Sequence, residues 1–516
     1  MSTTTTAAPV TPRAPVDAAA KGLRTGAIGL AGSTILGVVQ TAPAYSIAVT
    51  MGLLAATVGL QAPALLIIAF VPILCMTIVE REFVAREPDC GTVFVWVGRA
   101  FGPYAGWLAS WALLAATFLA LANLANVGGA YFFLFIGADG AASTEFATVA
   151  LGIGFLALAV WLAVRGIHVS ARAQAWLLGT GLAVLVVFAA VALVKVIAGT
   201  AGDQAPTVSL SWFDPFAVGG TSTLSAGLLL AIFFYWGWDG SAAVVEEADG
   251  GVATPRRALL WSALALLACY LVLAFALQGY AGVGDSGIGL AGEAAAGDAL
   301  SVVGGAAVGS WFQTLMELAV MVSAVACLVA AVLPTARSLL SMGAYRALPT
   351  AFARVDRRSG SPVVATLAVG VAVAAVLIVL SIVSNNVLGD AIGAIVLLIA
   401  FYYTLVGLAA LWTFRAEVLR SPGDLLTKGV APVVGTVVLG WALVRNGLDT
   451  IKDDYGLTTL LGLGGVFVIG VATLLIGVAL MAAWRVSAPA FFRGETFAPG
   501  YMERHEPDLL AELRSG

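Results

Sequence analysis

Two short stretches of this 516-residue sequence place helix-breaking and polar residues inside otherwise apolar segments. The first stretch is Gln40, Thr41, Ala42 and Pro43, and the second is Trp236, Gly237, Trp238, Asp239 and Gly240. Proline cannot donate a helical hydrogen bond, and glycine tolerates the backbone angles that end a helix. A broken helix exposes N–H groups on one half and carbonyl groups on the other, with dipole ends of opposite sign. Two such breaks predict a binding site for a small solute that carries both charges.

Asp239 is an acid in the middle of an apolar segment. A charge at that depth in a membrane is unfavourable by ~2.5–3.5 kcal/mol even on the mildest insertion scales. Asp239 must therefore be neutral, paired or in contact with water. It could hold a substrate ammonium group or take part in proton coupling, and the alternative is a structural carboxyl hydrogen-bonded between helices. Glu317 is the other acid well inside a predicted helix; it is a second coupling candidate or, if the helix shifts by one turn, an interfacial acid.

The second stretch is surrounded by aromatic residues. Phe233, Tyr235, Trp236 and Trp238 fall within six positions of one another. They are candidates for a gate or for the wall of a binding pocket. The alternative is that they face lipid or fill the protein core, as aromatic residues of membrane helices commonly do.

Two adjacent acids, Glu246 and Glu247, end the same segment. The C-terminal end of a helix carries a partial negative charge, so acids there are expected to have a basic partner. We predict an inner-gate ion pair with a basic residue such as Arg24, Arg81 or Arg99. The alternative is a solvated acidic helix end.

The composition identifies the elements that must position these residues. The chain is 60% hydrophobic and 10% charged, whereas soluble proteins carry roughly 25% charged residues. Long charge-free stretches reach the ~20 residues that a membrane-spanning helix needs. Helices follow because a segment in lipid must satisfy its own backbone hydrogen bonds, and the ~10-residue alternation of a barrel is absent. The fold class is therefore an all-α polytopic membrane protein.

About twelve transmembrane helices are predicted. We number them span 1 to span 12, near residues 26–54, 62–83, 104–135, 146–164, 174–197, 222–245, 259–281, 308–335, 362–384, 388–412, 430–447 and 457–484. With a cytoplasmic N-terminus, 22 of the 25 basic residues fall on the cytoplasmic side, and the others are Lys195, Arg445 and Lys452. This bias indicates an even number of spans and both termini in the cytoplasm, in the cell membrane.

The two breaks lie in span 1 and span 6, five spans apart. Because five is odd, the two broken helices run in opposite directions, as two five-helix halves related by an inverted repeat would require. The predicted organisation is a disordered tail (1–22), a first repeat (23–198), an extracellular loop (199–221), a second repeat (222–414), two appended helices (415–485) and a cytoplasmic C-terminal tail (486–516). Simple kinks in two unrelated helices are the alternative.

Several other classes of function lack support in the sequence. No long basic run indicates a nucleic-acid partner. The four cysteines and two histidines have no metal-binding or redox spacing: Cys75, Cys90, Cys269, Cys327, His168 and His505. Hydrolase and metalloprotease motifs are absent, which disfavours a membrane enzyme, and no repeated filter-like segment supports a channel. We expect no metal and no cofactor, with a small solute and membrane lipid as partners; the oligomeric state is not predicted.

Three stretches resemble the signatures of one transporter superfamily. The first contains Glu80, Pro88, Gly91, Thr92, Arg99, Phe101, Gly102, Pro103, Gly106 and Trp107; the second contains Phe233, Gly237, Asp239, Glu246, Glu247, Pro255 and Arg256; the third contains Arg337, Ser338, Leu348, Pro349, Phe352 and Pro362. In this order and in these positions relative to the spans, they resemble the amino acid–polyamine–organocation (APC) superfamily over about residues 23–415.

The resemblance implies the leucine-transporter fold, with ten core helices, discontinuous helices 1 and 6, and two appended helices. It also implies a permease that binds an amino acid where the two helices unwind, with Phe233 closing over it, and that works by alternating access. Relatives that bind α-carboxylates have a glycine-rich first break, whereas this chain has Gln40–Pro43. Because Pro43 removes one N–H donor, a transporter of amines, polyamines or an inorganic cation is the alternative.

The coupling ion is left open by the sequence. Proton-coupled relatives carry a lysine in span 5, but residues 174–182 contain none, and the matching position is near Gly181. Coupling through that lysine is excluded. A sodium site between spans 1 and 8 that uses a hydroxyl such as that of Ser323, coupling to protons through another group, and uncoupled exchange remain as alternatives.

Overall fold

The computed structural model describes residues 21–498 except 384 and 454, together with residues 501 and 504. The predicted tails 1–22 and 486–516, with His505, lie largely outside the described residues. The described residues are mostly helical, and their strands form one short hairpin, in which Thr459–Leu460 pairs with Leu463–Gly464. The prediction of an all-α membrane protein is confirmed.

The spans have the following bounds: span 1, Leu30–Gln40 and Pro43–Val58; span 2, Ala62–Arg86; span 3, Pro103–Phe135; span 4, Glu145–Val164; span 5, Ile167–Ile197; span 6, Thr221–Tyr235 and the 3-10 helix Trp238–Glu247; span 7, Ala253–Ala281; span 8, Ser310–Ala344; span 9, Val363–Val383; span 10, Asn385–Phe414; span 11, Ala431–Thr450; span 12, Gly465–Trp484. Two shorter helices, Val93–Phe101 and Ala299–Val308, were not predicted from the sequence.

Eleven helices of the described chain are long and apolar enough to cross a membrane, and the first of them covers 57 residues. At ~1.5 Å per residue, that length is far greater than the ~30 Å of a hydrocarbon core. Contacts with span 7 fix its path: Thr34 with Ser262, Leu60 with Gln278, and Glu82 with Arg256. The chain therefore runs from the start of span 7 to its end, turns at Gly59–Gln61, and returns. The 57 residues make two crossings, which gives twelve in all.

The outer helices and the inner helices differ in what they bury. Spans 5, 9 and 12 carry large apolar side chains on the surface; Trp176, Ile382 and Leu475 are each at least 60% exposed. Such faces are typical of helices in contact with lipid. Spans 1, 3, 6 and 8 are buried over most of their length. The broken helices thus lie inside the bundle, where polar groups can be enclosed by protein.

Spans 1 and 6 are both discontinuous, as predicted. Ala42 has a left-handed backbone (φ +46°), and Pro43 is the first residue of the second half of span 1. Gly237 has φ +114° between the two halves of span 6. The two spans also meet at the end of span 6, where the amide of Ala27, just before span 1, donates to the carbonyl of Glu247 at 2.7 Å. The inverted repeat and the predicted domain bounds stay predictions.

Candidate functional site

The break in span 1 forms without glycine. A non-glycine residue in the left-handed region is strained by roughly 1–2 kcal/mol, and Ala42 carries that strain. Local contacts support it, because the Thr41 hydroxyl donates to the carbonyl of Val38 at 2.8 Å and the Ser46 hydroxyl donates to the carbonyl of Thr41 at 2.6 Å. Pro43 then starts the next helix in the position that proline prefers. The absence of glycines at residues 40–43 therefore does not prevent the unwinding.

The start of the second half of span 1 presents backbone N–H groups. The Ser46 amide bonds to the carbonyl of Ala42, whereas the amides of Ala44 and Tyr45 donate to no backbone carbonyl in the described chain. These are the amides that a helix start leaves without an intrahelical acceptor, at its positive dipole end. Pro43 removes one donor of this set, and two remain.

The break in span 6 lies directly against the break in span 1. A Cβ atom on Gly237 would come within 2.8 Å of the backbone carbon and oxygen of Gln40, and one on Gly240 would lie 1.9 Å from the Gln40 Oε1 atom. A Cβ atom on Gly37 would lie 2.6 Å from the carbonyl oxygen of Trp238. Only glycine permits this approach of the two backbones. The two breaks thus form a single region.

A cavity of about 530 Å³, which we call the central cavity, opens at this junction. Its polar side chains come from spans 1, 3 and 8, and its apolar wall comes mainly from spans 3, 6 and 10: Gln40, Thr41, Tyr45, Ser46, Thr117, Asn123 and Cys327, with Leu121, Leu124, Phe233, Trp236 and Ile395. The Tyr45 hydroxyl donates to the Asn123 side-chain oxygen at 2.5 Å, and the Tyr270 hydroxyl donates to that of Thr41 at 3.1 Å. No lining residue carries a charged side chain.

A second cavity of about 460 Å³ lies beside the breaks, against the second half of span 6, and we call it the acid cavity. Glu80 of span 2 and Asp239 of span 6 both line it, and Gln40 and Thr117 line both cavities. The carboxylate of Asp239 accepts a hydrogen bond from the Tyr403 hydroxyl at 3.0 Å. The acid cavity therefore holds two carboxyl groups directly beside the uncharged central cavity.

The structure divides the predicted substrate residues between different surroundings. Gln40, Thr41, Ala42, Phe233, Trp236 and Gly237 line the central cavity. Asp239 lines the acid cavity instead. Tyr235 turns away, since its hydroxyl donates to the carbonyl of Leu66, and Trp238 is fully buried against Tyr403.

Of the three coupling candidates, Asp239 lines the acid cavity, whereas Glu317 and Ser323 lie elsewhere. Glu317 is 8% exposed and accepts a hydrogen bond from Gln313 at 3.3 Å. Ser323 lines a cavity of about 260 Å³ between spans 1, 5 and 8, together with Pro43 and Gly181. The predicted sodium site would occupy this third cavity, and the coupling ion stays untested.

Glu246 and Glu247 are held by buried ion pairs. Lys21 Nζ lies 2.6 Å from Glu246 and 2.8 Å from Asp89, and Arg337 binds Glu247 through two nitrogens at 2.6 and 3.1 Å. All of these side chains are at most 2% exposed. We call these five residues the inner network. It joins the segment before span 1 to spans 6 and 8 and to the loop after span 2.

The predicted basic partners of the two acids were wrong. Arg24 donates to the backbone carbonyls of Arg357 and Arg358, and Arg99 lies 3.8 Å from Glu87; no ion pair links Arg81 to either acid in the described chain. The alternative of a solvated acidic end is also wrong, because both acids are buried. Span 8 extends nine residues further than predicted, and this extension carries the actual partner, Arg337.

Charges within the inner network stabilise one another. Burial alone would lower the pKa of Lys21, but the neighbouring Asp89 carboxylate raises that pKa well above its ordinary value. Burial would likewise raise the pKa of Asp89, yet the Lys21 ammonium holds it below its ordinary value. Ligand atoms of Asp89, Cys90 and Glu246 lie within 4.8 Å of one another, close enough to hold a metal ion. Lys21 contacts all three and already supplies the positive charge there.

Residues 25–445 match the sequence profile of the amino acid permease family. The match covers about four-fifths of the chain, and the chain therefore belongs to the amino acid permease family of the APC superfamily. The predicted resemblance is confirmed. The family and the membrane-helical fold point to a transporter of amino acids or related organic cations. None of the curated proteins compared with the chain matches it.

Proposed function

We propose that this chain is a secondary transporter that binds a neutral amino acid in the central cavity and moves it across the cell membrane by alternating access. The observation that carries the proposal is a cavity without charged side chains that lies where two broken helices meet. Such a junction offers backbone groups of both polarities to one small solute.

The carboxylate of the solute is assigned to the helix start in span 1. Within the described chain the amides of Ala44 and Tyr45 have no backbone acceptor, and a helix N-terminus is a general binding site for anions. The ammonium group is assigned to the carbonyl ends of the first halves of spans 1 and 6, at Gln40 and Phe233. The apolar wall formed by Phe233, Leu124 and Ile395 then receives the side chain of the amino acid.

The charge of the central cavity favours a zwitterion over a simple cation. A zwitterion has no net charge, so helix dipoles and hydrogen bonds can replace its water. A cation without a carboxylate would need a counter-charge in a region of low dielectric constant, and the lining residues supply none. For this reason we favour a neutral amino acid with an apolar side chain.

The inner network is assigned the role of the cytoplasmic gate. It ties span 6 to span 8 and to the segment before span 1 through ion pairs that are buried. Release of solute to the cytoplasm requires these elements to separate, and hence the ion pairs to break or to become hydrated. The described conformation is then one in which the cytoplasmic side is closed.

Transport of amines or polyamines is the second candidate, and the acid cavity is the observation that favours it. Gln40 and Thr117 border both cavities, so a long amine in the central cavity could extend towards Asp239. In that case Asp239→Asn should abolish binding of the amine. Binding of a zwitterion held by backbone groups should be affected much less.

Equilibrium binding to the purified protein tests the proposal. Radiolabelled neutral L-amino acids should bind saturably, and the amines formally derived from them by loss of the carboxylate should compete at least tenfold more weakly. Polyamines should not compete. Competition by amines equal to that of the parent amino acids would contradict the carboxylate assignment and support the second candidate.

A further inference from the structure

Glu80 is a buried acid with no visible partner in the described chain. Glu80 is 1% exposed, and neither of its carboxylate oxygens has a hydrogen-bond partner among the described residues. This residue lines the acid cavity, so its side chain lies at the wall of a space inside the helix bundle. An unpaired carboxylate enclosed by protein is strongly destabilised. Something that the described chain does not supply must therefore satisfy it.

Asp239 shares this cavity with Glu80 and interacts with it electrostatically. Neither acid forms an ion pair with a lysine or arginine among the residues that the structure describes. The titratable groups that face the pair are the hydroxyls of Tyr402 and Tyr403 in span 10. Tyr403 donates to Asp239, which leaves the remaining oxygens of the two carboxyl groups without a positive partner.

Two carboxylates that share one cavity inside a membrane helix bundle are strongly disfavoured when both are charged and no counter-ion is present. A single proton resolves the conflict. It removes one of the two negative charges and converts one carboxyl group into a neutral group that can donate a hydrogen bond. The hydroxyl that already donates to Asp239 fits this arrangement, since it orients that carboxyl group through a hydrogen bond.

The acid pair is connected to the central cavity through side chains. Trp236, which lines the central cavity, donates from its indole nitrogen to the Tyr402 hydroxyl at 2.6 Å. The rings of Tyr402 and Tyr403 lie 4.4 Å apart between centroids, and Tyr403 donates to Asp239. A solute that moves Trp236 would thus alter the hydrogen bonds around the pair.

We propose that Glu80 and Asp239 bind one transported proton between them and that this proton is the coupling ion. The inference rests on the proposed transport function and names its driving ion. The proton comes from water on the outer side and forms an O–H bond with one carboxyl group. After the inner network opens, that bond ionises and the proton passes to cytoplasmic water through the acid cavity, beside Thr92 and Ser338.

Proteoliposomes that contain a pH-sensitive dye test the inference. With the wild-type protein, addition of a neutral amino acid at an acidic outer pH should acidify the lumen, and a pH gradient should drive accumulation. One proton between two carboxylates is held more tightly than by one alone. Glu80→Gln and Asp239→Asn should therefore each shift the pH profile of uptake to more acidic values by about one unit or more. The double variant should lose acidification and gradient-driven accumulation at least tenfold.

Glu82→Gln is the matched control. Glu82 lies two residues from Glu80 on the same helix, but it is paired with Arg256 outside the acid cavity. Its pH profile should match the wild type. Counterflow, in which labelled and unlabelled solute exchange without a gradient, is measured in parallel to show that each variant folds and binds.

The two proposals fail in distinguishable ways. Wild-type counterflow without lumen acidification, accumulation driven by sodium instead, or unshifted pH profiles in both single variants would overturn the proton site and leave the transport function standing. Absence of wild-type counterflow for every amino acid would overturn the transport function itself. If only the double variant loses counterflow, the pH profiles of the two single variants determine whether the proton site is correct.

Discussion

The backbone conformations of two residues, Ala42 and Gly237, determine the geometry of the central cavity. Ala42 turns the chain through the left-handed region, and Gly237 allows the backbone of span 6 to touch Gln40. Strained residues of this kind persist where the surrounding structure fixes them, often at functional sites. The position of the cavity thus depends on the absence of one Cβ atom at residue 237.

Replacement of Gly237 by alanine should separate the two breaks. The new Cβ atom would lie 2.8 Å from backbone atoms of Gln40, and φ at this position is +114°, which alanine rarely adopts. We expect amino acid affinity to fall at least tenfold, because the N–H and carbonyl groups would no longer lie at their present spacing. Equilibrium binding measures this loss.

The control for this change is Gly179→Ala. Gly179 lies in span 5 and is exposed, and a Cβ atom added there would meet no heavy atom of a packed neighbour within 4 Å. Alanine is also the better helix former, so affinity should be unchanged and stability unchanged or slightly higher. Equal loss of affinity in both variants would show that the close contact at Gly237 is not the cause.

The sequence identifies a functional residue only where the neighbouring residues along the chain make it unusual. Asp239 was found because it lies between glycines inside an apolar segment. Glu80 was noted only as part of a family signature, since its burial without a partner depends on how span 2 packs against span 6. Lys21 was counted among the cytoplasmic basic residues, but the sequence gives no reason to pair it with Glu246, 225 residues away.

At the scale of elements, the inner network holds spans 6 and 8 together with the segment before span 1 and the loop after span 2. Buried ion pairs contribute little net stability, but removal of one partner leaves an uncompensated charge and is unfavourable by roughly 3–5 kcal/mol. Such pairs can therefore keep a particular arrangement of helices closed. The burial of Arg337 with Glu247, both at most 1% exposed, is the strongest case here.

Glu246→Gln and Glu247→Gln should open the cytoplasmic side. Each removes the partner of a buried cation, so water should enter the acid cavity more often. With the four native cysteines replaced, a cysteine at Ser338, which lines that cavity, should react several-fold faster with a membrane-impermeant maleimide added from the cytoplasmic side. Glu495→Gln, which alters an exposed pair with Arg493, serves as the control. An unchanged reaction rate in both gate variants would exclude a gate function.

The closed inner network should persist at alkaline pH. A lysine whose pKa is raised on folding stabilises the folded state fully below its ordinary value of 10.5, and loses that contribution only as the pH rises through the higher value. The labelling rate at residue 338, normalised to an exposed cysteine at Gly423, should therefore stay constant from about pH 7.5 to 9.5. An increase across this range would show that Lys21 loses its charge there and contradict the raised pKa.

Most helix positions follow from the sequence, and the errors have physical causes. Predicted and observed bounds agree closely for spans 2, 3 and 4 because apolar stretches end at charged or turn residues. Spans 5, 7 and 8 are longer than predicted, since they continue past the apolar region into segments with basic residues such as Arg172, Arg256 and Arg337. Hydropathy identifies the part of a helix that lies in the hydrocarbon core, whereas the helix itself continues beyond the membrane as long as its backbone hydrogen bonds are maintained.

At the scale of the whole molecule, the path of the chain determines which face of the membrane each loop occupies. Spans 1 and 2 together form one largely apolar stretch of 57 residues. The contacts of this stretch with span 7 show that it crosses the membrane twice. The distribution of basic residues had indicated an even number of crossings. The charge distribution therefore agrees with the twelve crossings that the contacts show.

Cysteine labelling checks this topology. In a background without native cysteines, a cysteine at Asp203, between spans 5 and 6, should react with an impermeant reagent from outside intact cells. A cysteine at Gly423, between spans 10 and 11, should react only after permeabilisation. Both positions are exposed. Labelling of both from the same side would contradict the predicted orientation.

The measurement that tests the central claim most directly is counterflow in proteoliposomes loaded with unlabelled amino acids. We expect transient, saturable accumulation of a labelled neutral L-amino acid, and a loss of this accumulation in Gly237→Ala but not in Gly179→Ala. Counterflow needs no knowledge of the coupling ion. Absence of accumulation across the full panel of neutral amino acids, or accumulation of amines alone, would contradict the assignment of the central cavity to an amino acid.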